Sequence, residues 1–507
     1  MIGGRNADEA RHRSRPSKVA PTSARASSGP PRQPSASNPS PLDPHPHPRF
    51  HPPASTSVVP GFLCSCVGGT AVLNGLSSFP SAAALGELPG GRLAKEPMSA
   101  AEASRTVRDE LRPDVDPQLN MATFITTWME PEADALMAEY ANRNTVDGVK
   151  PLRTAELSRR CIAVLADLWH APDPDVAPGV ATGGSSEACM LAGLAMLMQW
   201  RARRGERGER PNLVMGTAVH VCWTKFCAYW DVEARKVPLE GDRFVIDPQA
   251  AADLCDENTI GVVTVLGTTF DGAYEPVQAV CAALDAREER DGVAVPVHVD
   301  AASGGMVAPF LEPQLPWDFR LPRVVSINTS GHKYGLVYPG LGWLVWRDAA
   351  AVPAALGFEV DYTGGAVASQ TLTFTQPAAQ IAVQYYQFLR LGQEGYREIM
   401  QHCRDLAGAL ADRIDELDGL RTVTRGTQLP VVAFTTRDDA PFTVAEVTDQ
   451  LSRRGWLVPA YTLPPNRTDL AVARLVIRRD FSPALARRLT TDLADAVRAL
   501  RGGRPGR

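Results

Sequence analysis

The sequence predicts an α/β fold, a mostly parallel sheet covered by helices on both faces, followed by a small C-terminal α+β domain. Three observations predict it. Short apolar runs ("NLVMG", "TIGVVTVLG", "VPVHVDA", "RVVSIN", "GWLVW") alternate with helical segments between Asn212 and Trp346. Two long helical patterns follow, about Pro377 to Leu391 and Tyr396 to Leu417. The remainder mixes strand-like "VVAFTTR" and "ARLVIRR" with the helix "TVAEVTDQLSRRG" and a final helix.

Taken in order, residues 1–97 read as a disordered low-complexity tail. "PTSARASSGPPRQPSASNPSPLDPHPHPRFHPP" has no apolar period and buries too little surface to offset ordering entropy. Its "HPHPRFH" tract reads as solvated rather than metal-binding. Met98 is a candidate alternative start. Residues 98–150 form an N-terminal segment, 151–395 the large domain and 396–507 the small one. Ala155 to His170 carries apolar residues at helical spacing. Ser185 to Arg204 is apolar nearly all round at its start, which marks a buried helix. Val360 to Pro377, with glycine turns and alternating residues, suits a hairpin.

With 507 residues, 44% hydrophobic, the chain can build a large core. A net charge of -5 gives no basic excess for nucleic acid. Nine cysteines without a C-x-x-C pair fit a reducing cytoplasm. The early apolar stretch "VVPGFLCSCVGGTAVLNGL" is broken by proline and glycines, so neither a membrane span nor a secretory signal is expected.

Four stretches carry chemistry. "TGGSSEA" (Thr182 to Ala188) opens a buried helix with glycines and serines, and backbone N–H groups, hydroxyls and helix dipole together would hold a phosphate. Serine there is also an ordinary N-cap. "VHVDAASGG" ends an apolar strand in Asp300, which caps the next turn or faces a positive ring nitrogen. "SINTSGHKYG" places Lys333 between two apolar runs, 33 positions after Asp300. Lysine, aspartate and phosphate cradle suit pyridoxal 5'-phosphate, which needs a Schiff-base lysine and an acidic partner for its pyridine nitrogen. Burial must lower the lysine from its free pKa of ~10.4. In "GTAVHVCWTKFCAYWD", His220 follows a strand and reads as a ring stacked on the pyridine face.

These residues resemble the group II pyridoxal-phosphate-dependent decarboxylases, most closely the glutamate decarboxylases of bacteria and plants. "NMATFITTWMEPEA", "VLADLWHAP", "GSSEACMLAGLAM", "HVDAASGGMVAPF", "SGHKYGLVYPGLGWLVWRD" and "YYQFLRLGQEGY" carry the resemblance, from roughly Asn120 onward. It implies fold type I, with a mixed, mostly parallel sheet. It implies that Lys333 ties the cofactor, Asp300 pairs with the pyridinium and His220 stacks on it. Ser185, Ser186, Ser330 and His332 would hold the phosphate, Thr269 would meet the phenolic oxygen, and Ala302 would pack on the ring. Thr123, Phe124, Asn144 and Asp147 would take the distal carboxylate of glutamate, and Arg474 its α-carboxylate. The implied activity is α-decarboxylation of L-glutamate to 4-aminobutanoate in a cytoplasmic homodimer or larger homo-oligomer, without metal, membrane or nucleic acid.

Three departures bear on the substrate. Thr224 stands where histidine is common, and "NRNTVDGVKPLRTAE" is shortened beside Asp147. Asp271 stands where a small neutral residue is usual, and is expected to add negative charge near the substrate. Decarboxylation of aspartate or cysteine sulfinate, and cofactor binding without catalysis, therefore stay open as alternatives.

Overall fold

The computed structural model describes residues 93, 95–145, 153–204, 210–360 and 367–502. Contacts divide the chain into Met1–Pro97 and Met98–Arg507, and the helices and strands belong to the second unit. Helices α1 (Ala100–Leu111), α2 (Pro131–Tyr140) and α3 (Arg153–Leu168) come first. Next come β1 (Gly179–Thr182), α4 (Ser185–Arg204), β2 (Asn212–Gly216), α5 (Val221–Tyr229), β3 (Glu233–Val237) and α6 (Pro248–Asp253). The large sheet is completed by β4 (Thr259–Val265), α7 (Val277–Asp291), β5 (Val297–Asp300), α8 (Ala308–Leu311), β6 (Val324–Ser330) and β7 (Gly342–Trp346).

These seven strands lie in the order β1-β7-β6-β5-β4-β2-β3. From β6 to β3 every pairing is parallel, whereas β7 runs antiparallel to both β6 and β1. The sheet is thus mixed but mostly parallel. Alternation along its strands explains the double covering. Val214, Val262, Val297, Val299, Ile327, Trp343 and Val345 pack with α3 and α7. Leu213, Met215, Ile260, Val263, Leu344 and Trp346 pack with α4 and α5 on the other face.

The sequence-based strands match the interior of this sheet. They omit β1 and β3, which are its two edges. An edge strand needs fewer apolar residues, and "EARKV" of β3 alternates exposed and part-buried positions. Helix α3 starts two residues before the expected Ala155 and ends before His170, whose φ of 55° leaves helical space.

A short hairpin, β8 (Phe358–Val360) with β9 (Val367–Ser369), leads to α9 (Ala378–Asp415). This span holds the two expected helices, which meet at a kink at Gly392, with φ 56° and ψ -169°, a conformation open to glycine. Strands β10 (Leu420–Arg425), β11 (Val431–Thr436), β12 (Ala460–Thr462) and β13 (Ala471–Val476) form an antiparallel sheet in the order β10-β11-β13-β12. Helices α10 (Val444–Ser452) and α11 (Pro483–Gly502) cover it. Met121, from the N-terminal segment, is buried in this second core. Among the described residues no helix is long and apolar enough to cross a membrane.

Candidate active site

The carboxyl ends of β4, β5 and β6 and the first turn of α4 surround one cavity of about 440 Å³. In open α/β sheets this end of the strands is where ligands sit. All nine residues expected at the cofactor, namely Ser185, Ser186, His220, Thr269, Asp300, Ala302, Ser330, His332 and Lys333, line it.

Asp300 ends β5 and is 3% exposed. Such a buried carboxylate needs donors, and the structure supplies them on both oxygens. Its Oδ1 accepts from the Ala302 N–H and from Asn328 Nδ2, each at 3.2 Å. Its Oδ2 accepts from the Trp223 indole at 3.0 Å, with the Cys189 thiol at 3.5 Å. Behind it, the Asn328 carbonyl oxygen lies 2.8 Å from His298 Nε2, and His298 Nδ1 lies 2.8 Å from Ser326 Oγ. Burial pushes the His298 imidazole down to about 4, so it is neutral at pH 7. Burial works to raise the Asp300 carboxyl. Its interactions with His298, the Trp223 indole and the Lys333 ammonium outweigh that and hold it below the ordinary range.

Lys333 follows β6 in the turn Gly331–Gly335. The two glycines answer a steric need: a Cβ on Gly335 would lie 2.5 Å from the Gly331 carbonyl oxygen, and one on Gly331 would lie 2.8 Å from Gln384 Oε1. Helix α9 fixes the turn, since Gln384 Nε2 and the Tyr396 hydroxyl both donate to the Gly335 carbonyl at 3.1 Å. Thr126 closes it from the N-terminal segment, donating its N–H to the His332 carbonyl and its hydroxyl to the Lys333 carbonyl, both at 2.8 Å. The Lys333 ammonium reaches Ser303 Oγ at 3.2 Å and lies 5.2 Å from the centre of the Phe124 ring. It touches solvent through the cavity but is otherwise enclosed by protein, and this burial lowers its pKa.

At the other end, Gly183 and Gly184 turn β1 into the 20-residue α4. Ser330 Oγ donates to Ser185 Oγ at 2.8 Å. A Cβ on Gly342 would lie 2.6 Å from the Ser185 nitrogen, so β7 must carry glycine where it crosses this helix start. His332 Nδ1 is buried with no partner, and a Cβ on Gly184 would lie 3.3 Å from that ring. A glycine cradle, two hydroxyls, a helix N-terminus and an orphaned ring nitrogen fit an oxyanion of phosphate size. With a lysine and a buried carboxylate in the same cavity, this donor set fits pyridoxal phosphate.

His220 caps α5, its Nδ1 accepting from the Cys222 N–H at 3.3 Å, and lines the cavity. The residues expected at the substrate are placed less uniformly. Phe124 sits beside Lys333. Arg474 lies behind Phe124, 4.9 Å from its ring centre, and donates to the carbonyls of Thr269 and Ala122 while its Nε has no partner. Thr123 does not line the cavity, and its hydroxyl accepts from the Ile125 N–H at 3.2 Å. Asn144 is also outside the lining, with its Oδ1 accepting from the Gln376 N–H at 3.0 Å. Asp147 lies outside the described residues, as does the shortened stretch after it.

Asp271 corrects the sequence reading. It does not line the cavity; it folds inward, accepting from the Thr268 hydroxyl and, at 3.1 Å, from the Ala273 N–H. Burial raises its carboxyl. It therefore adds no charge facing a substrate. Thr224 also points away, accepting from Lys236 Nζ at 3.2 Å.

Several functional neighbours were not singled out from the sequence: Trp223, Asn328 and His298 around Asp300, Ser303 at Lys333, and the thiols of Cys189 and Cys222 in the cavity wall. The available signal was a polar residue inside an otherwise apolar strand, as with His298 in "VHVD" and Asn328 in "VVSINTS".

Comparison with known proteins agrees with this geometry. The family model described as the pyridoxal-dependent decarboxylase conserved domain matches residues 93–437. The chain belongs to that family, and its cofactor is pyridoxal 5'-phosphate. More particularly, it is 46% identical to a glutamate decarboxylase of Solanum lycopersicum over 411 residues, covering 80% of this chain and 82% of that protein. A glutamate decarboxylase of Aliivibrio fischeri is 44% identical over 416 residues, covering 81% and 89%. The solved glutamate decarboxylase of Lactobacillus brevis superposes with a TM-score of 0.80 at 41% identity, covering 84% of this chain and 98% of that one. A sphingosine-1-phosphate lyase of Burkholderia pseudomallei, 24% identical with a TM-score of 0.70, shares the fold, covering 84% and 96%.

Proposed function

We propose that this chain removes the α-carboxylate of L-glutamate as CO₂, leaving 4-aminobutanoate, with pyridoxal phosphate held in the cavity described above. The observation that carries the reading is that Lys333 and Asp300 line one cavity together with the glycine–serine turn before α4. The relatives named glutamate decarboxylase, similar over most of their length, support the choice of acid.

When bound, pyridoxal phosphate supplies a sink for the electron pair left at Cα as CO₂ departs. The protein does the rest. Asp300, ionised and fixed by Trp223, Asn328 and the Ala302 N–H, holds the proton on the ring nitrogen. His220 and Ala302, which both line the cavity, would hold the ring between them. Ser185, Ser186, Ser330 and His332 would anchor the phosphate, and Thr269 would meet the phenolic oxygen. Lys333, its amine made accessible by burial, would hold the cofactor through its Nζ. Arg474, behind Phe124, would meet the α-carboxylate of the substrate and help orient the bond that departs as CO₂. Thr123, Phe124, Asn144 and Asp147 would take the distal carboxylate. Because Thr123 and Asn144 do not line this chain's own cavity, that role fits a homodimer or larger homo-oligomer in which one copy completes its neighbour's site. A cytoplasmic location suits the buried, unbridged cysteines among the described residues.

A panel of amino acids tests the reading. CO₂ release from glutamate, with little from aspartate, cysteine sulfinate or tyrosine, is the expected result. Release from tyrosine or aspartate in preference to glutamate would overturn it.

A further inference from the structure

The cavity contains two thiols that the proposed reaction does not use. Cys189, in the first turns of α4, and Cys222, at the start of α5, bring their thiols to the carboxylate of Asp300. The two sulfurs and a carboxylate oxygen all lie within 4.8 Å of one another. All three residues are buried, at 0%, 2% and 3% exposure, yet all line the cavity, so an ion has a way in. The Cys189 sulfur is 3.5 Å from Asp300 Oδ2. In a tetrahedral zinc site with Zn–S near 2.3 Å and Zn–O near 2.1 Å, a sulfur–oxygen edge measures about 3.6 Å. Two sulfurs and one carboxylate select a soft divalent ion over magnesium or calcium.

We propose that Cys189, Cys222 and Asp300 form a binding site for a soft divalent cation of the zinc type in the cofactor-free chain. Both thiols release their protons to solvent as the ion binds. Two thiolates and a carboxylate around a divalent ion leave one net negative charge, and the ammonium of Lys333, which interacts with all three groups, offsets it. The fourth position opens into the cavity. The site rests on the functional reading in one respect: the same Asp300 that binds the ion is the partner of the pyridine ring, so ion and cofactor exclude each other.

The test uses the full chain carrying Cys64→Ser and Cys66→Ser, which removes the only closely spaced cysteine pair outside the described residues. The chain is stripped of cofactor and titrated with Cd²⁺. The expected result is an ultraviolet thiolate-to-metal charge-transfer band saturating at one ion per chain. Cys189→Ser and Cys222→Ser each weaken binding at least about tenfold, the lower end of what loss of even an outer-shell partner costs a metal site. Zn²⁺ displaces the Cd²⁺ band and raises the apparent dissociation constant for pyridoxal phosphate, and preloading with pyridoxal phosphate suppresses the band. Circular dichroism of both serine variants, together with their thermal unfolding midpoints, separates ligand loss from misfolding. Absence of the band, its persistence in both serine variants, or simultaneous saturation by ion and cofactor would overturn the proposal. Failure of the chain to bind pyridoxal phosphate at all would instead overturn the functional reading, and the band and its loss in the variants would still decide the ion site.

Discussion

The two ends of the proposed site are built differently. At the cofactor end, the expected contacts sit at strand ends, at helix starts or in the turns just after the strands of one sheet, and Asp300 has donors on both oxygens. At the end assigned to the distal carboxylate, Thr123 and Asn144 stand in irregular segments away from the cavity, and Asp147 follows them outside the described residues. The difference separates the residues that this chain gathers around one cavity from those that it does not. Loops carrying specificity on a rigid catalytic scaffold are a general arrangement.

Asp300→Asn should break the cofactor end hardest. It keeps the shape but loses the charge that faces the ring nitrogen, and kcat for glutamate should fall about 10²–10³-fold, as when a preorganised electrostatic partner is removed. Retention of full kcat would remove the distinction between the two ends.

Glu275 tests how firmly the cofactor end is framed. Its carboxylate accepts from the N–H of Val265 at 2.7 Å and of Ile246 at 3.2 Å, tying the cavity end of β4 to the chain before α6. Burial pushes it up to about 8. The folded state then binds a proton that the unfolded state has lost, so stability falls as pH rises between the unfolded and folded values. From about pH 5 to about pH 8 this should cost about 3–4 kcal/mol, read as a declining midpoint in denaturant. Glu275→Gln removes the titration and should flatten that slope, whatever its effect on the baseline; an unchanged slope would assign it elsewhere.

Asn144→Ala probes the other end and should have the smallest effect. KM for glutamate should rise about tenfold, the worth of one hydrogen bond to a charged group, while kcat changes little. A fall in kcat with unchanged KM would place Asn144 in support of the fold instead.

The contrast also explains what could be read from the sequence. Asp300 and Lys333 were legible because a charged residue ending an apolar strand is costly without a partner. The interior strands were legible for the same reason of apolar continuity, while the edge strands β1 and β3 were not. Asp271 misled because its motif lies beside the cavity in sequence, whereas the Thr268–Ala273 turn folds its side chain inward. Trp223 and Asn328 escaped notice because their role is to position another side chain across the sheet, which no local pattern encodes.

The most direct test of the central claim is borohydride reduction of the cofactor-loaded chain, followed by mass mapping of its peptides. The account predicts one pyridoxyl group per chain, on Lys333, and none in Lys333→Ala. A pyridoxyl group on any other lysine, or cofactor that washes away after reduction, would contradict it.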